Sequence, residues 1–270
     1  MKGKTALITG STAGLGLAIA TALAGKGCNI LMTGLGEPSQ IEQRRSAIER
    51  LSGSQVVFIP ADLRDPAAIE SLVAASYERF GNVDILVNNA VSRHVAGVEN
   101  FAAADWDQDI AVNLSAAFHL IRLTMARMKS ANWGRIINMS SNLGLFGAPN
   151  RVSYVTTKTA LIGLTRAIAT ETVGTNITCN AICPSSLLGE NAERLIQQIA
   201  DEGGVSRESA TEEFLARRNR SRFVTTVPAL VVFLCSEDGK DMTGAAIPVD
   251  LGSTAGQPSS VTYKDKQQAQ

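Results

Sequence analysis

Short apolar runs rich in β-branched residues alternate along most of this chain with longer segments of helical period. The strand-like runs are TALIT (5–9), NILMT (29–33), QVVFIP (55–60), VDILVN (83–88), RIINM (135–139), ITCNAI (177–182) and AIPVD (246–250). The helical segments lie at about 14–25, 38–52, 66–80, 105–129, 152–173 and 226–236. Because the strands are mostly apolar rather than alternating, both of their faces should be covered. The pattern predicts an α/β fold with a doubly wound parallel sheet of about seven strands and helices on both faces.

The alternation continues without an internal repeat or a linker, so we expect a single domain over residues 1–252. Residues 186–222 form a charged insertion between the sixth and seventh runs. At the carboxyl edge of the sheet such an insertion could cover a ligand as a lid, although a solvated surface excursion has the same pattern. Residues 253–270 are polar and carry no periodic apolar face, which predicts a loose tail.

Charge and cysteine content exclude several classes of function. Lysine plus arginine equals aspartate plus glutamate, at 25 each, so no basic field favours nucleic acid or an acidic membrane. The chain has no apolar run long enough to span a bilayer and no signal-peptide pattern. Its four cysteines are scattered without metal-ligand spacing. We therefore predict a cytoplasmic protein with reduced thiols and no metal site.

A glycine-rich turn, TGSTAGLG, follows the first strand-like run and opens the first helical segment. Gly10, Gly14 and Gly16 would let the backbone turn tightly and leave room for a pyrophosphate, which the helix N-terminus would stabilise. Such a turn can also be purely structural. Its place between the first strand and the first helix favours a Rossmann-type dinucleotide site, with Thr12 and Leu15 as further contacts.

The end of the second strand-like run bears on which dinucleotide binds. In dinucleotide folds an acidic residue there binds the adenosine ribose, whereas an arginine accepts a 2′-phosphate. The segment TGLGEPSQ has neither an aspartate at the strand tip nor a nearby arginine, and Leu35 offers an apolar wall. We therefore favour NAD over NADP. Glu37 could bind the ribose, but a solvated residue opening the next helix is the better interpretation.

Polar and small residues follow the third and fourth strand-like runs. Asp62 and Leu63 could lie against an adenine, although Asp62 could equally be a cap or turn residue. Asn89 and Ala90 stand where an amide can satisfy exposed backbone groups and support a cofactor. Asn113 lies on an otherwise apolar side of a helix and needs partners. It is either structural or holds a water for proton relay.

The stretch SNLGLFGAPNRVSYVTTK (141–158) places a hydroxyl, a phenol and an amine within reach of one reacting centre. Tyr154 and Lys158 are four residues apart and share a face of a helix. Ser141 ends a strand-like run and returns to the pair through a loop that contains glycine and proline. A lone pair of this kind is more often an ordinary surface tyrosine and lysine, and it is the rest of the chain that favours catalysis.

In this order and spacing the motifs resemble the classical short-chain dehydrogenase/reductase family over about residues 4–252. They are TGSTAGLG (9–16), DL (62–63), NNA (88–90), Asn113, Ser141, YVTTK (154–158) and ICP (182–184). The segments GSTAGLGLAIATALAGKG, LGEPSQIE, AVNLSAAFH, GRIIN and NAICP are most similar to D-3-hydroxybutyrate dehydrogenases, which use NAD. The resemblance implies hydride transfer between a nicotinamide and a secondary alcohol or ketone.

The resemblance also implies a role for each site residue. Tyr154 would exchange a proton with the substrate oxygen, and Lys158 would lower the pKa of the phenol and bind the nicotinamide ribose. Ser141 would orient the substrate oxygen, and Asn113 would hold a water that links Lys158 to solvent. Pro184, in the ICP turn, would lie beside the cofactor.

The resemblance further implies a homotetramer built on the helices at about 105–129 and 152–173. Leu161, Leu164 and Ile168 are apolar candidates for the subunit contact, although they could equally face the sheet. A small-molecule substrate is the other partner that we expect.

Departures from the family pattern surround the expected nicotinamide position. The common NNAG is NNAV here, with Val91, and the common PG after the sixth run is Pro184-Ser185. The threonine expected a few residues later is replaced by Gly189, and VDGG near the end is VDLG. We expect dinucleotide binding to survive these changes with altered geometry around the nicotinamide.

The substrate pocket departs further from that of the hydroxybutyrate dehydrogenases, in which Gln, His, Lys and Trp surround the carboxylate. At the aligned positions this chain has Arg93, Leu143, Arg151 and Ser186. An arginine can still bind a carboxylate bidentately, so an acidic substrate stays possible. The loss of His and Trp argues for a different or larger one. His94 is a further candidate, although a loop histidine is more often solvated.

The sequence therefore predicts an NAD(P)-dependent oxidoreductase that acts on a small, 3-hydroxybutyrate-like hydroxy acid. Its first alternative is a reductase of acyl-thioester or cyclic ketones. The second is a catalytically silent dinucleotide-binding sensor or scaffold. The intact Ser141, Tyr154 and Lys158 argue against silence, whereas Val91 and Ser185 keep that alternative open.

Overall fold

The computed structural model describes residues 1–185, 190–216 and 225–256. Within these residues, seven strands form one parallel sheet in the order β3-β2-β1-β4-β5-β6-β7. The strands are β1 Thr5–Thr9, β2 Asn29–Thr33, β3 Val56–Phe58, β4 Ile85–Asn88, β5 Gly134–Met139, β6 Ile177–Pro184 and β7 Ala246–Val249. The predicted doubly wound parallel sheet is confirmed.

The chain begins at the middle of this sheet and winds outwards in both directions. Leu7 of β1 pairs with Leu31 of β2 on one side and with Leu86 of β4 on the other. The first three strands extend one half of the sheet, and the chain then crosses back to start the other half at β4. A crevice opens outside the carboxyl ends of the strands at such a reversal, and ligands of open α/β sheets bind there.

Helices cover both faces of the sheet, as predicted. They are α1 Gly14–Ala24, α2 Pro38–Ser52, α3 Pro66–Phe80, α4 Ala103–Ile110, α5 Ala116–Ser130, α6 Val152–Glu171, α7 Glu190–Gly203, α8 Arg207–Ala216 and α9 Val227–Cys235. Two of them match their predicted bounds because both ends carry local signals. Glu37 caps α2 by accepting from the Ser39 N–H, as Asp65 caps α3. Gly53 and Gly81 follow their last residues.

The segment predicted to be helical at about 105–129 is helical from Ala103 to Ser130, but it is not α-helical throughout. A π-helical turn, Ala111–Ser115, separates α4 from α5. A π-turn holds one extra residue in the helical repeat, which rotates the faces of the two halves against each other. Because apolar residues continue on both sides of it, the 3.6-residue pattern does not show the interruption. The turn contains Asn113, whose side chain is buried.

Two apolar layers hold the helices against the sheet. Ile8 of β1 points into one layer, with Leu23 of α1 and Leu234 of α9. Its neighbour Leu7 points into the other layer, with Leu72 of α3. Successive strand residues therefore face opposite layers, which explains why the runs are apolar throughout.

The apolar residues of α6 that were candidates for a subunit contact face this core. Leu161 and Ile168 are buried within the single chain, and Leu164 packs on the same layer as Ile168. Of the two interpretations in the sequence analysis, the sheet-facing one is therefore the one observed.

Some strand ends differ from the sequence prediction. β3 is confined to Val56–Phe58 rather than 55–60, and β4 begins at Ile85 rather than at residue 83. β6 is longer than predicted, because Pro184 is still paired with Val249 of β7. An apolar run shows where a strand is buried but not where its neighbour stops pairing.

The insertion between β6 and β7 contains α7 and α8, which pack on each other through a small apolar cluster that includes Ile196 and Phe214. Residues 186–189 and 217–224 lie outside the described part, as do the predicted site residues Ser186 and Gly189. The lid role of 186–222 therefore stays a prediction. The predicted tail, 253–270, also stays one, since residues 257–270 are outside the described part.

The four cysteines are buried and free of disulfides. Burial raises the pKa of Cys28 to about 11 and that of Cys179 to about 12, so both are poor nucleophiles. Among the described residues, no group of three or more His, Cys, Asp or Glu side chains could hold a metal ion. No helix in the described ranges is long and apolar enough to cross a membrane.

Candidate active site

A cavity of about 460 Å³ opens at the carboxyl ends of the central strands, where the sheet reverses its winding. Many of the residues singled out from the sequence line it. They are Gly10, Gly14, Leu15, Gly16, Asn89, Ala90, Arg93, Ser141, Tyr154, Lys158 and Pro184. The other candidates, which do not line this cavity in the described part of the chain, are Thr12, Leu35, Asp62, Leu63, His94, Asn113, Leu143 and Arg151.

The glycine-rich turn has the shape that a phosphate group requires. Gly10 and Gly14 adopt positive φ angles of 61° and 53°. A Cβ on Gly16 would lie 2.2 Å from the Gly10 carbonyl oxygen, whereas a Cβ on Gly14 would meet nothing within 4 Å. The cap of α1 at Ala13 makes no side-chain hydrogen bond to the N–H groups of the first turn. The helix therefore presents free donors and open space to an anion, and the turn fits a pyrophosphate.

The NNA segment fastens the end of β4 to this turn. The Asn89 side chain donates to the Thr9 carbonyl at 2.9 Å and to the Gly10 carbonyl at 3.1 Å. The Thr9 hydroxyl accepts from the backbone N–H groups of Asn89 and Ala90, both at 2.9 Å. The amide thus satisfies backbone groups that the turn exposes, as the sequence analysis expected.

Beside the glycine-rich turn and the end of β2 lies an arginine that was not identified from the sequence. The Thr12 hydroxyl donates to the Leu35 carbonyl at 2.6 Å, and Arg44 Nη1 donates to the Thr12 carbonyl at 2.6 Å. The expectation that no arginine lies near the end of β2 is therefore wrong, because Arg44 approaches it in the folded chain. Arg44 lies about two turns into α2 and shares a helix face with the buried Ile41 and Ile48. That shared face was the feature of the sequence that could have placed Arg44 against the sheet. Leu35 itself is 86% exposed.

Asp62 and Leu63 have structural partners at the end of β3. The Asp62 carboxylate pairs with the Arg64 guanidinium at 2.6 Å and accepts from the Arg64 N–H at 2.9 Å. The hydrogen bonds from Arg64 lower the pKa of Asp62 to about 2. Asp62 is thus a turn residue, and Leu63 packs into the core. Their contact with an adenine stays a prediction.

Tyr154 and Lys158 lie on the inner face of α6 and are only 7% and 3% exposed. Lys158 Nζ donates to the Met139 carbonyl at 2.7 Å and lies 5.7 Å from the centre of the Tyr154 ring. The Ser140 hydroxyl donates to the Lys158 carbonyl at 2.7 Å, which ties the end of β5 to the helix. The adjacent Ser141 accepts from the Leu143 N–H at 3.1 Å. Phenol, amine and hydroxyl therefore meet at one wall of the cavity.

The environment of Tyr154 favours its ionised form. Burial alone would raise the pKa of the phenol, but Lys158, Arg93 and hydrogen bonds from Ser141 and Arg93 together lower it below its ordinary value. Burial lowers the pKa of Lys158, against which the charge of an ionised Tyr154 acts. A tyrosine with a lowered pKa ionises nearer neutral pH than a free tyrosine does, and its phenolate can then accept a proton.

Arg93 contacts the phenol directly, which the sequence did not show. Its Nη2 donates to the Tyr154 hydroxyl at 3.1 Å, and its Cζ lies 4.7 Å from the ring centre. No acidic side chain is found among the described residues that line the cavity. The cavity is therefore positively charged around the phenol.

Asn113 uses its side chain to hold the loop that carries Arg93. Its Oδ1 accepts from the Ser92 N–H at 2.7 Å, and its Nδ2 donates to the Ser92 carbonyl at 3.0 Å. A longer bond, at 3.4 Å, runs from Nδ2 to the Thr157 hydroxyl. Of the two interpretations of Asn113, the structural one is thus observed, and the water relay stays a prediction.

His94 is not the solvated loop residue that the sequence suggested. Its Nδ1 lies 2.9 Å from Oδ1 of the fully buried Asp109, and its Nε2 lies 3.4 Å from Asp105. Asp109 also accepts from the Ser153 hydroxyl, next to Tyr154. Burial would raise the pKa of Asp109, but bonds from Ser153, Ser92 and His94 lower it. Asp109 was not identified from the sequence, in which it is one of three aspartates in the α4 segment AADWDQDI.

The remaining substrate candidates, Leu143 and Arg151, are not among the described residues that line the cavity around the phenol. Leu143 is half-buried in the short helical turn that follows Ser141. Arg151 pairs through its backbone with Ala96, and its side chain lines a second cavity of about 440 Å³. Val91 and Ser185, two of the family departures, both line the first cavity. The substrate roles of Leu143 and Arg151 stay predictions.

Comparisons with known proteins agree with this geometry. A profile of the short chain dehydrogenase family matches residues 4–200. The chain is 40% identical to a D-beta-hydroxybutyrate dehydrogenase of Rhizobium meliloti over 255 residues, which cover 93% of this chain and 99% of that protein. It is also 40% identical to the enzyme of that name from Cupriavidus necator over 258 residues, 94% of this chain and 99% of that one. The crystal structure of levodione reductase superposes with a TM-score of 0.85 at 29% identity, covering 95% of this chain and 100% of that chain.

Proposed function

The chain belongs to the short-chain dehydrogenase family of oxidoreductases, and we propose that it interconverts a small 3-hydroxy acid and the corresponding 3-oxo acid with NAD as the hydride acceptor. The observation that carries the proposal is the meeting of Ser141, Tyr154 and Lys158 in a positively charged cavity beside the glycine-rich turn. The names of the two relatives that share 40% identity with the chain point to the same substrate class.

The residues present fit a dinucleotide. The turn from Gly10 to Gly16 would hold the pyrophosphate, and Lys158 would bind the nicotinamide ribose. Leu15, Ala90 and Pro184 would form the walls around the ring. When bound, the nicotinamide takes up or supplies the hydride.

The side chains of this protein manage the proton. In the direction of oxidation, Tyr154 Oη takes the proton of the substrate hydroxyl. The hydrogen on the carbon that bears this hydroxyl leaves as the hydride that the nicotinamide would take up. The charge of Lys158 stabilises the phenolate before that transfer. The Ser141 hydroxyl donates to the substrate oxygen and fixes its position beside the phenol. In the direction of reduction, Tyr154 returns the proton to the developing alkoxide.

We propose NAD rather than NADP because the loop at the adenosine end presents an exposed apolar residue, Leu35. Arg44 is the group that could reverse this preference, since it lies beside Thr12 in the same loop region. A comparison of turnover with NAD and NADP tests the assignment. A preference for NADP that disappears in Arg44→Gln would contradict it and assign the 2′-phosphate to Arg44.

A second candidate is a reductase of cyclic or thioester ketones, and the close superposition on levodione reductase favours it. The positive charge of Arg93, in a cavity whose described lining residues include no acidic side chain, favours a carboxylate instead. The two functions differ in their response to substrate charge, because a neutral ketone has no group to pair with this arginine.

The direct test measures NADH formation by the purified protein with D-3-hydroxybutyrate, with its L-enantiomer and with neutral secondary alcohols. We expect turnover with the D-acid to exceed turnover with the others. Faster reduction of cyclic ketones than of 3-oxo acids would favour the second candidate. NADH binding without turnover of any acid, alcohol or ketone would instead indicate a silent dinucleotide-binding protein.

We also propose a cytoplasmic homotetramer built on α5 and α6. The four buried free thiols suit a reducing compartment, and α5 exposes Phe118, 47% accessible in the single chain. Light scattering in solution should give four times the chain mass of 28.5 kDa. A monomer mass that persists at micromolar concentration would contradict the tetramer.

A further inference from the structure

Arg93 lines the cavity, and within the described part of the chain its guanidinium has no anionic partner. Lys158, a second cation that lines the cavity, donates a hydrogen bond to the Met139 carbonyl at 2.7 Å. For Arg93 the hydrogen bond found within the described part of the chain goes to the Tyr154 hydroxyl, which is a weaker acceptor than a carboxylate. The cavity is lined by no acidic side chain over those same residues. An anion that enters the cavity would therefore find an arginine ready to exchange partners.

The loop around Arg93 is fixed, so the guanidinium is the part free to move. Ser92 is held on both backbone atoms by Asn113, and its hydroxyl accepts from Gln108 Nε2 at 3.1 Å. On the other side, His94 is bound to the buried Asp109. The backbone on each side of Arg93 thus has firm partners, while the side chain crosses the cavity wall to the phenol.

We propose that Arg93 alternates between two partners: it holds the Tyr154 hydroxyl in the free enzyme and moves to the carboxylate when an acidic substrate binds. The proposal rests on the proposed function. Arg93 then makes two hydrogen bonds to the carboxylate in place of its one hydrogen bond to the phenol. The exchange frees the Tyr154 hydroxyl for the substrate oxygen. A neutral substrate cannot induce the exchange and has to compete with Arg93 for the phenol.

The exchange links substrate charge to proton transfer. While Arg93 lies on the phenol, its charge and its hydrogen bond help to lower the pKa of Tyr154. Once a carboxylate neutralises Arg93 and draws it away, the pKa of Tyr154 rises. An acid thus frees the Tyr154 hydroxyl from Arg93 at the cost of a higher pKa, whereas a neutral substrate does not. The enzyme would select acids through this release as well as through affinity.

The kinetic test compares D-3-hydroxybutyrate with its methyl ester in the wild type, Arg93→Gln and Arg93→Lys. Arg93→Gln should lower kcat/KM for the acid by roughly 30- to 100-fold, the effect of losing a paired charge. For the ester, kcat/KM measured at a pH above the Tyr154 midpoint of both proteins should stay level or rise, because the competing donor is gone. Arg93→Lys should keep part of the activity on the acid. The matched control is Arg166→Gln, an exposed arginine on the same helix as Tyr154. Equal losses on acid and ester would overturn the proposal and leave Arg93 a packing residue.

A titration without turnover separates this proposal from the substrate assignment. The phenolate absorbance of Tyr154, taken as wild type minus Tyr154→Phe, is followed against pH with chloride, acetate or D-3-hydroxybutyrate at equal ionic strength and without cofactor. Both carboxylates should raise the midpoint in the wild type, and neither should move the already higher midpoint of Arg93→Gln. A wild-type midpoint that no carboxylate moves would overturn the exchange. A shift with acetate but not with the hydroxy acid would support the exchange and count against the proposed substrate.

Discussion

Two buried cations lie at opposite ends of the same strand, β5. Lys158 is 3% exposed and donates to the carbonyl of Met139, the last residue of the strand. Arg135 is fully buried and donates to the carbonyls of Gly134 at 2.9 Å and Asn176 at 2.8 Å, beside the first residue. Burial lowers the pKa of both side chains. Judged by burial and backbone partners, they look alike.

What differs is the space and the partner beside each charge. Lys158 faces a cavity and a phenol whose pKa it lowers. Arg135 stacks on Trp133, with Cζ 4.5 Å from the ring, and lines neither cavity of the described chain. Its Nε and Nη2 atoms have no hydrogen-bond partner in the described ranges. A buried charge therefore indicates function only when it meets both an ionisable group and room for a ligand.

The largest expected loss of activity comes from removing the hydroxyl of Tyr154, the phenol found beside Lys158 but not beside Arg135. Tyr154→Phe removes the transferable proton and little volume, so kcat should fall by about 10³-fold or more. NADH affinity, measured by fluorescence, should stay near that of the wild type. Turnover close to the wild-type value would show that another group exchanges the proton.

Lys158→Met tests the cation that faces the phenol. Without the ammonium charge the pKa of Tyr154 rises, so oxidation at neutral pH should fall by roughly 100-fold. Part of this loss should be recovered at high pH, where the phenol ionises unaided. A loss that is equal at every pH would assign Lys158 to cofactor binding alone, and the KM for NAD would then carry the effect.

Arg135→Met is the matched variant at the other end of the strand and has the smallest expected effect. Its kcat/KM should stay within about threefold of the wild type, since Arg135 is not among the described residues that line the two cavities reported above. The Gly134 and Asn176 carbonyls lose a donor, but a desolvated charge is also removed, so the free energy of unfolding should fall by only about 1–2 kcal/mol. Urea denaturation measures this change. A catalytic loss as large as that of Lys158→Met would remove the distinction between the two ends.

Much of this contrast could be predicted from local sequence. The apolar runs predicted the sheet, and the Tyr154–Lys158 spacing together with Ser141 predicted the reacting groups. Both predictions depend on residues that are near each other in the sequence. The surroundings of those groups could not be predicted. Arg93 reaches Tyr154 from 61 residues away, and Asp109 reaches Ser153 from 44. The hydrophobic periodicity of a segment does not predict contacts between residues so far apart in sequence.

The same limit explains Arg135 and Arg44. Arg135 opens a strand-like run, where the pattern gives no sign that the chain around Asn176 covers it. Arg44 belongs to a helix that looks solvated in sequence, yet its side chain returns to the glycine-rich turn. In each case the position depends on how separate segments pack, and only the fold supplies that information.

The decisive measurement is the pH dependence of kcat/KM for oxidation in the wild type, Lys158→Met and Arg135→Met. Oxidation needs the phenolate, so activity rises as the pH passes through the pKa of Tyr154. We expect one midpoint, below the ordinary phenol value of 10.0, shared by the wild type and Arg135→Met, and a higher midpoint for Lys158→Met if Lys158 lowers the pKa of the phenol. An unmoved midpoint in Lys158→Met, or an equal shift in Arg135→Met, would contradict this expectation.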